Sequence, residues 1–387
     1  MLRREPWNAL LWSFDTLLQK FVTAESVRIP QSPRRVLVCN NAHLGDLIMA
    51  TAVLPPLRQL FPSAEIGFLT SSWARPVIDN NPEVRYIHAF DHFLLNRSTV
   101  SPLAKLRRHL ATAWNTLQQL RALKYDIAID TYHFIQNVIP LLWLARIPVR
   151  IGYTSGGFGS LLTHSYSWTA RNRHLLEYHL DLLRPLGLTS DLRAGARPTI
   201  GQRRNVERVT LPQDYIVLHP ASGAVFREWP LEKWSLLARK LEGEGWRLVF
   251  TGQGEREQEN VRMIHSMCRA SIDLCGLLSW DQFVSVVESA RLLVGVESTA
   301  GHMAAAVSTP CVVIYSGTTN TSQMCPFGEG VRTITHPMPC APCFRTRGCS
   351  GMECIRNVTV DTVFEACLEA VRRDSPSRRR ELTLRSR

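Results

Sequence analysis

Cys340-x2-Cys343-x5-Cys349-x4-Cys354 places four thiols within fifteen residues, in a loop broken by Pro339, Pro342, Gly348 and Gly351. Such a group can hold Zn or Fe; its spacing is tighter than a two-knuckle zinc ribbon, and four structural thiols are the alternative. Cys39, Cys268, Cys275, Cys311 and Cys367 lie in or beside expected strands and helices and read as small core hydrophobes. A second chemical candidate is Asn41-Ala-His-Leu-Gly45-Asp46, where a flexible glycine precedes a carboxylate at a helix start. Asp46 is there either as a helix cap or as a first-turn acid favoured by the helix dipole. A third is Glu297-Ser298-Thr299-Ala-Gly-His302, in which Ser298 or Thr299 is placed to cap a helix. A lone histidine on a helix is more often structural than functional.

These loops need strands before them and helices after them. From Arg34 the pattern runs from a β-rich stretch at 36–39 through a polar turn at 40–46 to helical periodicity over 47–61. Further strands are predicted at 65–70, 86–90 and 125–130, and a helix over 101–124 whose Lys105, Arg107, Arg108, Arg121 and Lys124 make a basic face. That face is either merely solvated or a binding surface. Residues 194–212, rich in Arg, Gly and Pro, read as a linker. The opening pattern then recurs: strand 215–219, loop 220–228, a helix over 230–242 with Pro at its start, and strand 247–251. Strand 292–296, helix 298–307, strand 310–315 and a final amphipathic helix over 360–371 follow. The expected architecture is α/β, with Rossmann-like domains over 31–200 and 201–371, the second carrying the cysteine-rich loop 339–355. Ligands in such folds bind outside the carboxyl ends of the strands, so two domains of this kind should face one another across a cleft. Residues 1–30 are expected to hold an amphipathic helix at 7–21, packed on the protein's own core or lying on a membrane; 372–387 read as a basic, disordered tail.

The run from Gly45 through Asp46 to Thr51, continuing by Pro55 and Arg58 to Phe61-Pro-Ser-Ala-Glu-Ile66, resembles the opening of glycosyltransferase family 9, the lipopolysaccharide heptosyltransferases. His219-Pro-Ala-Ser222-Gly223, Arg227-Glu-Trp-Pro230, Thr251-Gly-Gln-Gly254 and the run from Glu297 to Ala306 resemble its second half. The resemblance spans roughly residues 34–371 and rests on the order and spacing of modest motifs. It implies a GT-B fold, inversion at the anomeric carbon and a nucleotide sugar bound mostly by the C-terminal domain. Asp46 aligns with the family's base, the group that deprotonates the acceptor hydroxyl. Arg227 stands where the family usually has Lys, keeping the charge but presenting a fork instead of a point. With the helix start near Ser298 it could hold a departing diphosphate without a metal. Where the family commonly reads Asp-Thr-Gly, this chain has Glu297-Ser298-Thr299; Glu297 could orient sugar hydroxyls or Arg227. His302 is implied as a donor to a diphosphate oxygen. Ser222 and Gly223 would offer a hydroxyl and backbone donors to the phosphates, and Glu255 is either a ribose ligand or a solvated turn acid. Arg75 and Arg97 are candidates for the acceptor's carboxylates or phosphates.

A formal charge of +12 favours anionic partners, and no run of about 18 apolar residues predicts a spanning helix. The N-terminus lacks the order of a signal peptide, and ten cysteines without one suggest a reducing compartment. The expectation is therefore an inverting transferase moving heptose from ADP-heptose to an anionic lipid-linked saccharide, peripheral on the cytoplasmic face of the inner membrane. No cofactor is required for that chemistry, with Zn or Fe at most structural. Two alternatives stand beside it: an autotransporter-type protein heptosyltransferase with cysteine-bound metal, and a non-catalytic nucleotide- or nucleic-acid-binding protein. The last is disfavoured because the arginines are not interleaved with aromatics on one helix, so no nucleic acid is expected.

Overall fold

The computed structural model describes residues 27–134, 137–169, 172–203, 206–269 and 271–373. The helix expected at 7–21 and the tail beyond 373 lie outside these residues. The chain divides into two compact units. The first runs to Gln202 apart from Asn172–His174; those three residues belong with the second, which continues from Arg203.

The first unit is a parallel sheet of β1 (Arg35–Cys39), β2 (Glu65–Thr70), β3 (Tyr86–Ala89), β4 (Ile127–Asp130), β5 (Val149–Tyr153) and β6 (His164–Tyr166), ordered β3-β2-β1-β4-β5-β6. The second repeats that order with β7 (Tyr215–His219), β8 (Arg247–Phe250), β9 (Ser271–Asp273), β10 (Leu292–Val296), β11 (Cys311–Ile314) and β12 (Val331–Ile334): β9-β8-β7-β10-β11-β12. Central strands covered on both faces must be apolar at every position. RVLVC in β1 is buried from its second residue on, and LLVGV in β10 throughout. The strand order reverses between β1 and β4 and again between β7 and β10, which makes the loops after these strands the natural ligand-binding positions of each unit.

The helix expected over 47–61 is broken into Leu44–Ala50, a 3-10 turn Thr51–Val53 and Leu54–Leu60. Pro55 and Pro56 explain the break: neither can donate to the carbonyl one turn before it. The long helix is Pro102–Leu123, started by Ser101, whose hydroxyl accepts from Ala104 N, and ended by Lys124 in the left-handed region. Its cations do not form one face. At about 100° per residue they are distributed around the axis, and the side chain of Arg108 pairs with Asp91 while Lys105 Nζ donates to Asn96 O and Arg121 to Leu144 O. The stretch expected as a linker is in part a strap on the first unit. Thr199 N donates to Thr51 Oγ1 at 2.8 Å, and Gly201 N to Val77 O at 2.9 Å. A Cβ at Gly201 would lie 1.7 Å from Asp79 O, so glycine is required there by close approach. The second unit's core is built around Trp229 and Trp234, edge to face at 5.4 Å, with Trp229 Nε1 donating to Val358 O.

Candidate functional site

In the second unit the loop after β7 carries Arg227 in the 3-10 turn Val225–Arg227, and the end of β10 carries Glu297. One guanidinium nitrogen of Arg227 lies 3.0 Å from Glu297 Oε1, and its carbon sits 5.5 Å from the Phe226 ring centroid. The other Glu297 oxygen accepts from Thr319 Oγ1 at 2.9 Å. Glu297 thus orients Arg227, one of the two roles expected for it. Ser298 follows as the N-cap residue of helix Thr299–Ala306, with Thr299 first in the helix, yet Ser298 makes no side-chain cap bond. His302 lies one turn further on and is buried. Burial, and then the charge of nearby His174, push its imidazole down to about 4, so it is neutral near pH 7.

Arg227 Nε, Ser298 Oγ and His302 Nδ1 are buried polar atoms without a hydrogen-bond partner. Such atoms are uncommon in folded proteins, and each calls for an explanation. Here they occur on a cation, on a helix N-cap and on that helix's second turn, all beside the end of β10. A guanidinium, a helix N-terminus and a hydroxyl are the donors an oxyanion requires.

Ser222 does not serve as expected. Its hydroxyl donates to Glu297 O at 2.9 Å and its backbone N–H to Glu228 Oε1 at 3.0 Å, so both donors hold the loop together; Gly223 follows in the exposed part of that loop. Glu228 in turn pairs with Arg256 at 2.6 Å, and Arg256 also donates to Ser222 O. Glu255 is the exposed first residue of helix Glu255–His265, while Glu257 closes the glycine turn by accepting from Gln253 N at 2.8 Å.

The four clustered cysteines do not converge. Cys340 and Cys349 are exposed, Cys354 is buried, and Cys349 Sγ accepts from Met352 N. Among the described residues no three or more His, Cys, Asp or Glu side chains are grouped to hold a metal ion. The residues present therefore do not fit the expected Zn or Fe. The loop buttresses its surroundings instead: Cys343 N donates to Gly317 O at 2.9 Å, and Gly348, with φ +70°, packs against Phe226.

In the first unit the loop after β1 is fixed by Asn40 Nδ2 donating to Thr131 Oγ1 at 3.0 Å, and by Ser71 and Trp73 both donating to Ala42 O. His43, extended at φ −91°, is the N-cap of helix Leu44–Ala50 without a side-chain bond, which makes Gly45 and Asp46 first-turn residues. Asp46 is thus the dipole-favoured acid and not the cap. Its charge, after burial, pushes the Tyr132 phenol up. The charge of Arg97, after burial, helps push His43 down to about 4. Asp46, Tyr132, His43 and Arg97 share one electrostatic neighbourhood. Arg75 instead pairs with Asp79 at 2.9 Å in the open. His43, Tyr132 and the buried Asp130, whose carboxyl burial raises to about 7, were not singled out from the sequence. Their only signal is position, at or next to the ends of β1 and β4, the pair where the strand order reverses.

Known proteins give this geometry a context. The profile of glycosyltransferase family 9 (heptosyltransferase) matches residues 113–352. The chain is 26% identical to lipopolysaccharide heptosyltransferase 3 of Escherichia coli over 286 residues, covering 71% of this chain and 81% of that one. It is similar in structure to E. coli ADP-heptose LPS heptosyltransferase II, at TM-score 0.69 and 19% identity over 88% of this chain and 99% of that one. It is also similar to E. coli heptosyltransferase WaaC with ADP-2-deoxy-2-fluoro heptose, at TM-score 0.66 and 18% identity over 87% and 99%.

Proposed function

The chain belongs to glycosyltransferase family 9, the heptosyltransferases, and we propose that it transfers heptose from ADP-heptose to a lipopolysaccharide core acceptor with inversion. The observation that carries the donor reading is the set of unpartnered buried donors on Arg227, Ser298 and His302 at a helix N-terminus. They match the oxygens of a diphosphate, and a relative of the same fold is described with an ADP-heptose analogue. The acceptor reading is supported by relatives named for lipopolysaccharide, and the proposal includes work at the cytoplasmic face of a membrane.

In this reading Asp46 takes the proton of the acceptor hydroxyl as that oxygen attacks the anomeric carbon. The bond from that carbon to the diphosphate oxygen breaks, and the electron pair leaves with ADP. Arg227, held by Glu297 and the Phe226 ring, stabilises the charge growing on the departing phosphate, and the helix N-terminus at Ser298 adds its dipole. A neutral His302 acts as a hydrogen-bond partner and not as a second cation.

Titration of the protein with ADP-heptose, UDP-glucose and GDP-mannose tests the donor, and Asp46→Asn tests the base. We expect ADP-heptose to bind far more tightly than the other two. Asp46→Asn should lower kcat by roughly a hundredfold or more with donor affinity nearly unchanged. Preference for another nucleotide would overturn the substrate, and retained turnover would remove Asp46 as the base.

A further inference from the structure

Helix Pro102–Leu123 turns a line of large apolar side chains to solvent. Leu103, Leu106, Leu110 and Trp114 are 59, 41, 59 and 61% exposed. Steps of three and four residues put them on one stripe. Thr116 and Leu120, on a neighbouring side, and Leu117, at the stripe's C-terminal end just past Trp114, are buried and hold the helix to its own unit, whereas the stripe's members from Leu103 to Trp114 stand in solvent. Val100 and Leu94, in the loop before the helix, are exposed as well. A contiguous surface of this kind marks a partner.

The charges indicate which partner. The helix sequence PLAKLRRHLATAWNTLQQLRAL contains no acidic residue, and Arg107 and Arg121 lie four and eighteen positions after Leu103, on or beside the stripe. An apolar strip flanked by arginines, with an indole among its members, is the composition of a surface that enters the headgroup boundary of a membrane. We propose that this stripe docks the protein on an anionic lipid bilayer, with Leu103, Leu106, Leu110 and Trp114 in the interface and Arg107 toward lipid phosphates. The biological purpose rests on the reading of a lipid-linked acceptor given above. The same loop that leads into the helix carries Arg97, whose charge acts on His43 and Tyr132 next to Asp46. Bilayer and acceptor chemistry are therefore joined by a few residues of chain.

Sedimentation of the full chain with vesicles, in the absence of any nucleotide, tests this directly. Phosphatidylglycerol-rich vesicles should bind it and phosphatidylcholine vesicles should bind it weakly, with the difference shrinking as salt screens the arginines. Leu110→Glu with Trp114→Glu should lower the partition onto anionic vesicles about tenfold or more, and Arg107→Ala by less. Because these side chains are exposed, the thermal midpoint should not move; Leu103→Gln with Leu106→Gln is the second pair should the first not fold. Unchanged vesicle binding in both pairs would overturn the proposal. So would loss of a native oligomer on substituting the stripe, which would make a second copy its occupant. Binding that disappears only when Leu11 and Phe14 are made acidic would assign attachment to the N-terminal segment. ADP-heptose titration of the same variants keeps the two readings apart, since failure on lipid leaves donor binding intact and failure of donor binding leaves the lipid result standing.

Discussion

In the proposed donor site Arg227 is the central cation, and its pairing with Glu297 predicts what its loss does. Arg227→Ala removes a charged donor and leaves Glu297 without its cation, so ADP affinity should fall about tenfold to a hundredfold. Adenosine, lacking the diphosphate, should bind the variant and the native chain alike. Arg227→Lys should recover part of the loss, because an ammonium can still pair with Glu297 but cannot fork to two oxygens. Parallel titrations with ADP and adenosine check this, and an equal loss for both ligands would mean that Arg227 shapes the pocket instead of reading phosphate. At this scale the positions of Asp46, Arg227, Glu297 and His302 were legible, because each is fixed by its place relative to a strand end; their roles belong to the proposal. Ser222 turns its donors inward, and Glu255, left open between ribose ligand and turn acid, stands exposed. Whether a hydroxyl faces a ligand or its own loop depends on a partner 75 residues away, Glu297 O for Ser222, and no local pattern encodes it.

Between residue and molecule stands the cysteine-rich loop, for whose thiols the sequence left a metal and a structural role both open. What it does is support. Gly348 has φ +70°, and a Cβ there would come within 2.7 Å of Phe226 Cβ and 2.8 Å of Met352 Sδ. Gly348→Ala should therefore displace the ring on which Arg227 lies and weaken ADP binding several-fold. The left-handed backbone adds about 1 kcal/mol of destabilisation. An ADP titration alongside a thermal melt distinguishes the two effects, and a lower midpoint with unchanged ADP affinity would reduce the loop to a fold element. The strands with strong apolar runs, β1, β2, β7 and β10, could be read in advance because strands buried on both faces tolerate little else. The short β6 and β9, HSY and SID, could not: they are three residues long, only partly buried or exposed, and held by their neighbours in the sheet.

For the whole chain, acid is the expected weakness. Burial lowers His43, His92, His219 and His302 to about 4 and His133 to about 3, against an ordinary value of 6.5. Between those values the unfolded chain takes up protons that the native chain refuses, so each of these histidines contributes stability at pH 7 that is lost as pH falls from about 6.5 toward 4. Asp130, raised to about 7, and Glu257, also raised by burial, act in the opposite sense and favour the native state as pH falls, but they are two groups against five. The melting midpoint should drop by at least several degrees from pH 7 to pH 5. A midpoint that held or rose would mean that these imidazoles accept protons in the native state.

The threading of residues 172–174 bears on the chain as a covalent object. The backbone leaves the first unit for Asn172, returns at Leu175 and departs again after Gln202, so it crosses between the units three times. His174 is held in the second unit through Cys325 O. No single peptide bond therefore separates the halves. A split gene cut at the obvious boundary would leave on its first product a three-residue piece of the second unit, and the second product would lack residues that its own packing uses.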